Sequence, residues 1–230
     1  MISSFIKKCI LSSSFFFLHL LMRFIKLTLA YGSFHFFFPV SICFLPLMGI
    51  WGGFEAAGIF LLIHIIGQNV ITSGLSSLLL AYHIPTFCGT FYWALLHKNV
   101  PKVWKTTLIA IFASSAIVLF TVHPIGNQAA PYALFWLIPL FTSLFTKNAV
   151  FIHALGSTFM CHAAGSILWI YGKTALTPQG WLNLIPLVCI ERLLIALIMT
   201  AFYYGIIFCI NFIAAYHKNS ITALTLAVKE

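Results

Sequence analysis

Three carboxylates, Glu55, Glu191 and Glu230, are the whole acidic complement of 230 residues, set against twelve Lys and Arg. Glu191 and Arg192 are adjacent, about nine residues into an apolar run from Leu182 to Tyr216. Insertion scales put a central Arg or Asp in a bilayer at roughly 2.5–3.5 kcal/mol each, so ionised residues at depth are candidates for contact with a solute or a gating partner. Neighbours on a helix diverge by about 100°, so the two are not expected to pair face to face. Each is expected to find a partner on another helix or in a wet cavity. Glu55 opens a second run beside Trp51, Gly52, Gly53 and Gly58. There it either snorkels to the interface or faces a ligand.

The stretch Phe151 to Trp169 reads FIHALGSTFMCHAAGSILW. His153 and His162 are nine residues apart, hence on opposite faces of a helix, and cannot ligate one metal from it. Two readings stay open: His153 or His162 with Ser157 and Ser166 contacts a polar ligand, or the histidines bond to neighbouring backbone in a tightly packed helix. Ala154, Thr158, Cys161 and Gly165 share one small-residue face, which lets another helix approach closely. Between two later runs, His123-Pro124-Ile125-Gly126-Asn127-Gln128 is short, polar and uncharged. It is either a plain turn or a lid over a pocket. Gln68, Asn69 and His83 add polar groups that are expected to face inward. The expected substrate-binding set is thus Glu191, Arg192, His153, His162, Ser157, His123, Asn127 and Glu55.

No H-E-x-x-H, P-loop, paired Asp or carboxylate-rich cluster is present. The expectation is therefore no catalytic residue, no metal and no cofactor. The six cysteines lie in or beside apolar runs without a C-x-x-C, and read as small buried residues rather than a disulfide framework.

The elements that must carry these residues follow from composition. With 62% hydrophobic and 7% charged residues and a mean hydropathy of +1.06, the chain lacks the charge to coat a water-facing surface. The bilayer must be its solvent. The expectation is an all-α, polytopic membrane bundle with no room for a soluble ATPase or catalytic module. Apolar runs cover Leu27 to Ile50, Phe54 to Thr72, Leu75 to Leu96, Thr106 to Val122, Ala130 to Phe145, Ala149 to Tyr171, and Leu182 to Tyr216. Pro39 and Pro46 predict a kink or break in the first. The last would be about 52 Å long as one straight helix, so it must tilt, run on into the cytoplasm or break near Pro186.

The basic residues sit between runs, which is the pattern that orients membrane proteins rather than a nucleic-acid surface. Placing Lys98, Lys102, Lys105, Lys147, Lys218 and Lys229 in the cytoplasm, with Lys173 and the His123 to Asn127 turn outside, favours six crossings with both ends inside. Residues 1–26 form a basic, signal-anchor-like segment, 27–217 the transmembrane domain and 218–230 a cytoplasmic tail. Trp51, Trp93, Trp104, Trp169 and Trp181 lie near run ends and read as interfacial anchors.

In size, helix number, orientation and small-residue helix faces the chain resembles the substrate-binding S component of energy-coupling-factor vitamin transporters. Those are small six-helix proteins without a nucleotide site that bind a vitamin under an outer loop. The resemblance implies uptake of a small, vitamin-like solute across the cell membrane, the bacterial inner membrane, powered by separate ATPase and scaffold membrane subunits. Two other classes remain open: a membrane-embedded enzyme of lipid or isoprenoid chemistry, and a non-catalytic assembly factor.

Overall fold

The computed structural model describes residues 2–22, 24–31, 34–72, 77–145, 148–172 and 176–227. Lys147, Lys173, Lys229 and Glu230 lie outside them, as do the side chains of Gln68, Asn69 and Lys218. The chain is predominantly helical: α1 (Ile2–Met22), α2 (Ser41–Phe44), α3 (Met48–Thr72), α4 (Ser77–His97), α5 (Lys102–Val122), α6 (Pro124–Gln128), α7 (Ile138–Thr142), α8 (Val150–Gly172), α9 (Pro178–Asn183) and α10 (Ile185–Ala227). Four described stretches are long and apolar enough to cross a membrane: Ser41–Ile63, Lys102–Val122, Val150–Gly172 and Ile185–Tyr216. They are compatible with a multi-pass membrane protein. Helix α10 continues through position 217, so the expected tail begins inside a helix.

Two apolar runs do not form the expected spans. Lys26–Tyr31 (β1) and Phe34–Pro39 (β2) make an antiparallel hairpin, with Lys26 opposite Pro39 and Tyr31 opposite Phe34. The first run is thus part strand, which corrects the all-helical expectation. Its tally of apolar residues hid β-branched and aromatic side chains flanking a Gly-Ser pair, a strand and turn composition. The fifth run becomes a 3-10 segment, Ala130–Leu137, followed by the five-residue α7. Pro131 and Pro139 each open a new turn there, because proline supplies no N–H to a preceding one.

The expected break near Pro39 and Pro46 is present, since β2 ends at Pro39 and Pro46 lies in a 3-10 turn, Leu45–Leu47, between α2 and α3. A further break falls at Gly53, whose φ of 66° and ψ of −158° separate two helical pieces within α3. Only glycine adopts such a backbone without strain. A Cβ at Gly53 would also meet Lys98 Cε at 2.5 Å. Lys98 Nζ in turn donates to the carbonyl of Trp51 at 3.2 Å, just before the break.

Helix α1 lies along α3. Ser12 Oγ donates to the Ala56 carbonyl at 3.1 Å, Phe16 meets Phe60 edge-on, and Lys8 pairs with Glu55. The short basic N-terminal segment is therefore packed into the bundle, with Ser12 and Phe15 buried.

Helix α8 is the central strut. Its Ser157 hydroxyl donates to the Gly89 carbonyl of α4 at 3.1 Å, and a Cβ at Gly89 would collide with Cys161. Gly156 is equally tight, against Thr142 and Tyr92. Gly165 is looser: a Cβ there would meet Pro85 at 3.6 Å, ordinary contact. The expected small-residue face is split between neighbours. Cys161 and Gly165 face α4, whereas Ala154 packs with Ile195, Ala196 and Met199, and the Thr158 carbonyl faces Arg192 on α10.

Helix α5 runs between the two ends of the bundle. At its start Lys105 Nζ donates to the Leu96 carbonyl at 3.0 Å, close to Lys98. At its finish Phe120 is covered by α6 and α9. Tyr171, near the end of α8, donates to the Leu119 carbonyl at 2.7 Å. One end of the bundle is thus marked by lysines and the other by aromatic rings. Trp104 and Trp169 are exposed, as expected of interfacial anchors, but Trp93 and Trp181 are buried, which corrects that reading for both. Trp93 donates to Met199 Sδ at 3.3 Å and belongs to the core.

Candidate functional site

The start of α10 is fixed by two prolines and a threonine. Thr177 Oγ1 accepts from the Gly180 N–H at 3.1 Å to cap α9, Pro178 opens that helix, and Pro186 stands at the first turn of α10. This places Glu191 and Arg192 two turns below the aromatic end, against α8. Glu191 is only 6% exposed. Its Oε2 lies 2.9 Å from Arg192 Nη2. The two neighbours pair with each other, contrary to the expectation that each would need a separate partner. Their Cβ atoms diverge, but the long arginine side chain folds back across the gap. Arg192 Nη1 also reaches the Thr158 carbonyl at 3.5 Å, the long limit of a hydrogen bond.

Beside the pair stands a second polar unit. The Tyr132 hydroxyl, from the 3-10 segment, is 2.7 Å from His162 Nε2 on α8. Tyr132 and His162 both lie within electrostatic reach of Arg192. Cys43 on α2 sits close enough to feel both members of the ion pair. Helices α2, α8 and α10 and the 3-10 segment therefore converge on one charged, hydrogen-bonded cluster. Without water to solvate them, such groups are tolerated only where they satisfy one another or face a ligand.

Above the cluster lies an aromatic cap. Phe120 is 5.1 Å from Trp136, 5.2 Å from Trp181 and 5.8 Å from Tyr132, ring centre to ring centre, and Tyr132 is 5.0 Å from Trp181. The contacts are edge-to-face or stacked, as the ring quadrupoles favour. Helix α6 closes over Phe120, since a Cβ on Gly126 would strike the Phe120 carbonyl.

No family model matches this chain, and no similar curated protein or solved structure was found.

Of the eight expected binding residues, Glu191, Arg192 and His162 come together. Five do not. Ser157 is spent on the Gly89 carbonyl, and His153 is buried with its ring 6.0 Å from Trp93. His123 Nδ1 accepts from the Ile125 N–H at 3.3 Å as the cap of α6, with its ring edge-on to Tyr171. Asn127 is exposed on α6, and Glu55 is exposed and paired with Lys8. The His123 to Asn127 segment is thus a helical turn pressed on the cap. The residues that sequence reasoning missed are Tyr132, Trp136, Trp181 and Phe120. Tyr132 stands 30 positions from His162, a separation at which no local periodicity links them. The one legible signal was that Tyr132, Phe135 and Trp136 crowd a proline-flanked segment.

Proposed function

We propose that this chain is the solute-binding component of a membrane uptake system, taking a small vitamin-like molecule into the cluster between α8 and α10 beneath the aromatic cap. One observation carries the reading: a buried Glu191–Arg192 pair abuts a Tyr132–His162 hydrogen bond at one end of an apolar helical bundle. Packing alone does not call for such a cluster, because buried ion pairs are often matched in stability by apolar residues of the same volume. The orientation that fits the lysine end facing the cytoplasm makes the aromatic end the entry side. In this reading separate ATPase and scaffold subunits in the cell membrane supply the energy for transport. Six crossings with both ends in the cytoplasm complete this arrangement, and the segment of residues 1–26 is not one of them.

The test is gentle purification from native membranes with partners attached, followed by mass spectrometry of retained small molecules. Retention by the parent and its loss in Arg192→Ala supports uptake. Turnover of a lipid by the purified chain alone would replace it with an embedded enzyme.

A further inference from the structure

The cap and the ion pair beneath it share a property that neither shows alone: the buried polar atoms they leave over are all donors. Arg192 Nε, Trp136 Nε1 and Trp181 Nε1 have no hydrogen-bond partner among the described residues. Each nitrogen carries an N–H and offers no acceptor. Trp136 is fully buried and Trp181 is 2% exposed, so bilayer water does not reach them. Two belong to rings that flank Tyr132, and the third to an arginine within electrostatic reach of it. Tyr132 has its ring 5.0 Å from Trp181 and 6.5 Å from Trp136, and its hydroxyl on His162 within electrostatic reach of Arg192.

Nearly all buried donors in folded proteins find an acceptor, and one left without pays its full desolvation penalty. Three in one cluster point to acceptors that the chain itself does not supply. Glu191 is already engaged by Arg192 Nη2. The complementary group must bring lone pairs, and the surrounding ring faces and edges favour a flat body. Resting on the uptake reading above, we infer that the solute held under the cap is a planar, acceptor-rich molecule, presenting carboxylate or ring-carbonyl oxygens to Arg192, Trp136 and Trp181. A flat cationic amine is the wrong complement, since it would add donors to a site that already holds unmatched ones.

Three flat probes of similar size separate the possibilities in a thermal-shift titration of the full-length protein in detergent. Benzoate carries a carboxylate, 2-pyridone a neutral ring carbonyl, and benzylamine only cationic donors. A saturable rise in melting temperature with benzoate or 2-pyridone, and none with benzylamine, is expected. Benzoate alone would identify an anion site and 2-pyridone alone a neutral carbonyl site. An equal response to benzylamine, or no response to any probe, overturns the inference. Trp136→Phe and Trp181→Phe keep an aromatic ring in the cap, smaller than indole, and remove the N–H. Each should weaken the active probe about tenfold, the worth of one buried hydrogen bond. Removing an unmatched donor offsets part of the packing lost with the smaller ring, so these variants are expected to fold at reduced stability. Lys8→Ala, at the far end, should leave probe affinity unchanged. Phe variants that bind as tightly as the parent would make the two indole donors mere packing and overturn the inference. Retained native solute distinguishes this step from the uptake reading. An acceptor-rich solute supports both, a solute without acceptors overturns this inference while uptake stands, and no retained solute with no probe response overturns both.

Discussion

The lysine end and the aromatic end of the bundle solve the same problem in opposite ways. At the lysine end, polar groups are matched locally: Lys98 caps the Trp51 carbonyl freed at the Gly53 break, Lys105 caps Leu96, and Lys8 meets Glu55. Each charge has a partner and an outlet toward solvent. Beneath the aromatic end the charges are deeper, with Glu191 and Arg192 side chains 8% and 12% exposed, and donors around them stay unmatched. Matching is what the exposed ties of the fold show, and mismatch at depth is what the proposed site shows. The carboxylates illustrate it. Glu55 and Glu191 carry the same group, and only depth and neighbours separate a surface tie from a site.

The largest effect that could break this contrast is at Arg192. Arg192→Leu leaves Glu191 buried without its partner and should cost about 3–5 kcal/mol, whereas Glu191→Gln with Arg192→Leu should cost clearly less. Thermal unfolding of the single and double variants in detergent measures both. Equal losses would mean the pair is no more coupled than two surface charges.

Next in size is helix packing. Gly89→Val and Gly156→Val should each lose roughly 1–3 kcal/mol by overpacking α8 against α4 and Tyr92, while Gly165→Ala should stay within about 1 kcal/mol because only Pro85 is near. Denaturation midpoints for the three variants rank them. A destabilised Gly165→Ala would show α4 and α8 closer at that level than the contacts indicate.

A smaller loss is expected for Tyr132→Phe, which removes the hydroxyl from His162 at about 1 kcal/mol of stability and abolishes retention of the proposed solute. Stability loss with retention intact would place Tyr132 among the structural residues of the cap. The smallest effect belongs to the lysine end. Glu55→Ala should change stability by no more than about 1 kcal/mol, as for exposed ion pairs generally, and leave solute retention unaltered. Orientation can be read separately. In a cysteine-free background a thiol at Asn127 should react from outside and one at Asn99 should not.

Much of this architecture was legible in the sequence, and the failures have particular causes. The spans at α5 and α8 were read nearly to the residue, because uninterrupted apolar length suffices to define a helix in lipid. Leu27 to Ile50 failed because apolar content alone does not separate a strand from a helix, whereas the aromatic residues around the Gly-Ser pair do. Ala130 to Phe145 failed because two prolines spaced eight apart divide what composition presents as one helix. At the site, Glu191, Arg192 and His162 were visible as polar residues out of place. Tyr132, Trp136 and Trp181 were not, since an aromatic residue is as much at home in lipid as in a pocket wall. The direct Glu191–Arg192 contact was hidden by a rule about Cβ directions that long side chains evade.

The aromatic cap has an optical consequence. Phe120 and Tyr132 are 5.8 Å apart, and each lies 5.0–6.5 Å from both Trp136 and Trp181, in edge-on and stacked orientations. Rings fixed at such spacings couple their electronic transitions, and chiral fixation of aromatic side chains is what near-ultraviolet circular dichroism records. One end of this molecule therefore contributes a strong rotatory signature that vanishes when the rings lose their mutual register, even while the helices persist. A chain composed almost wholly of helix, whose far-ultraviolet spectrum would hardly change on local loosening, thus carries its own gauge of order at the place where order matters most.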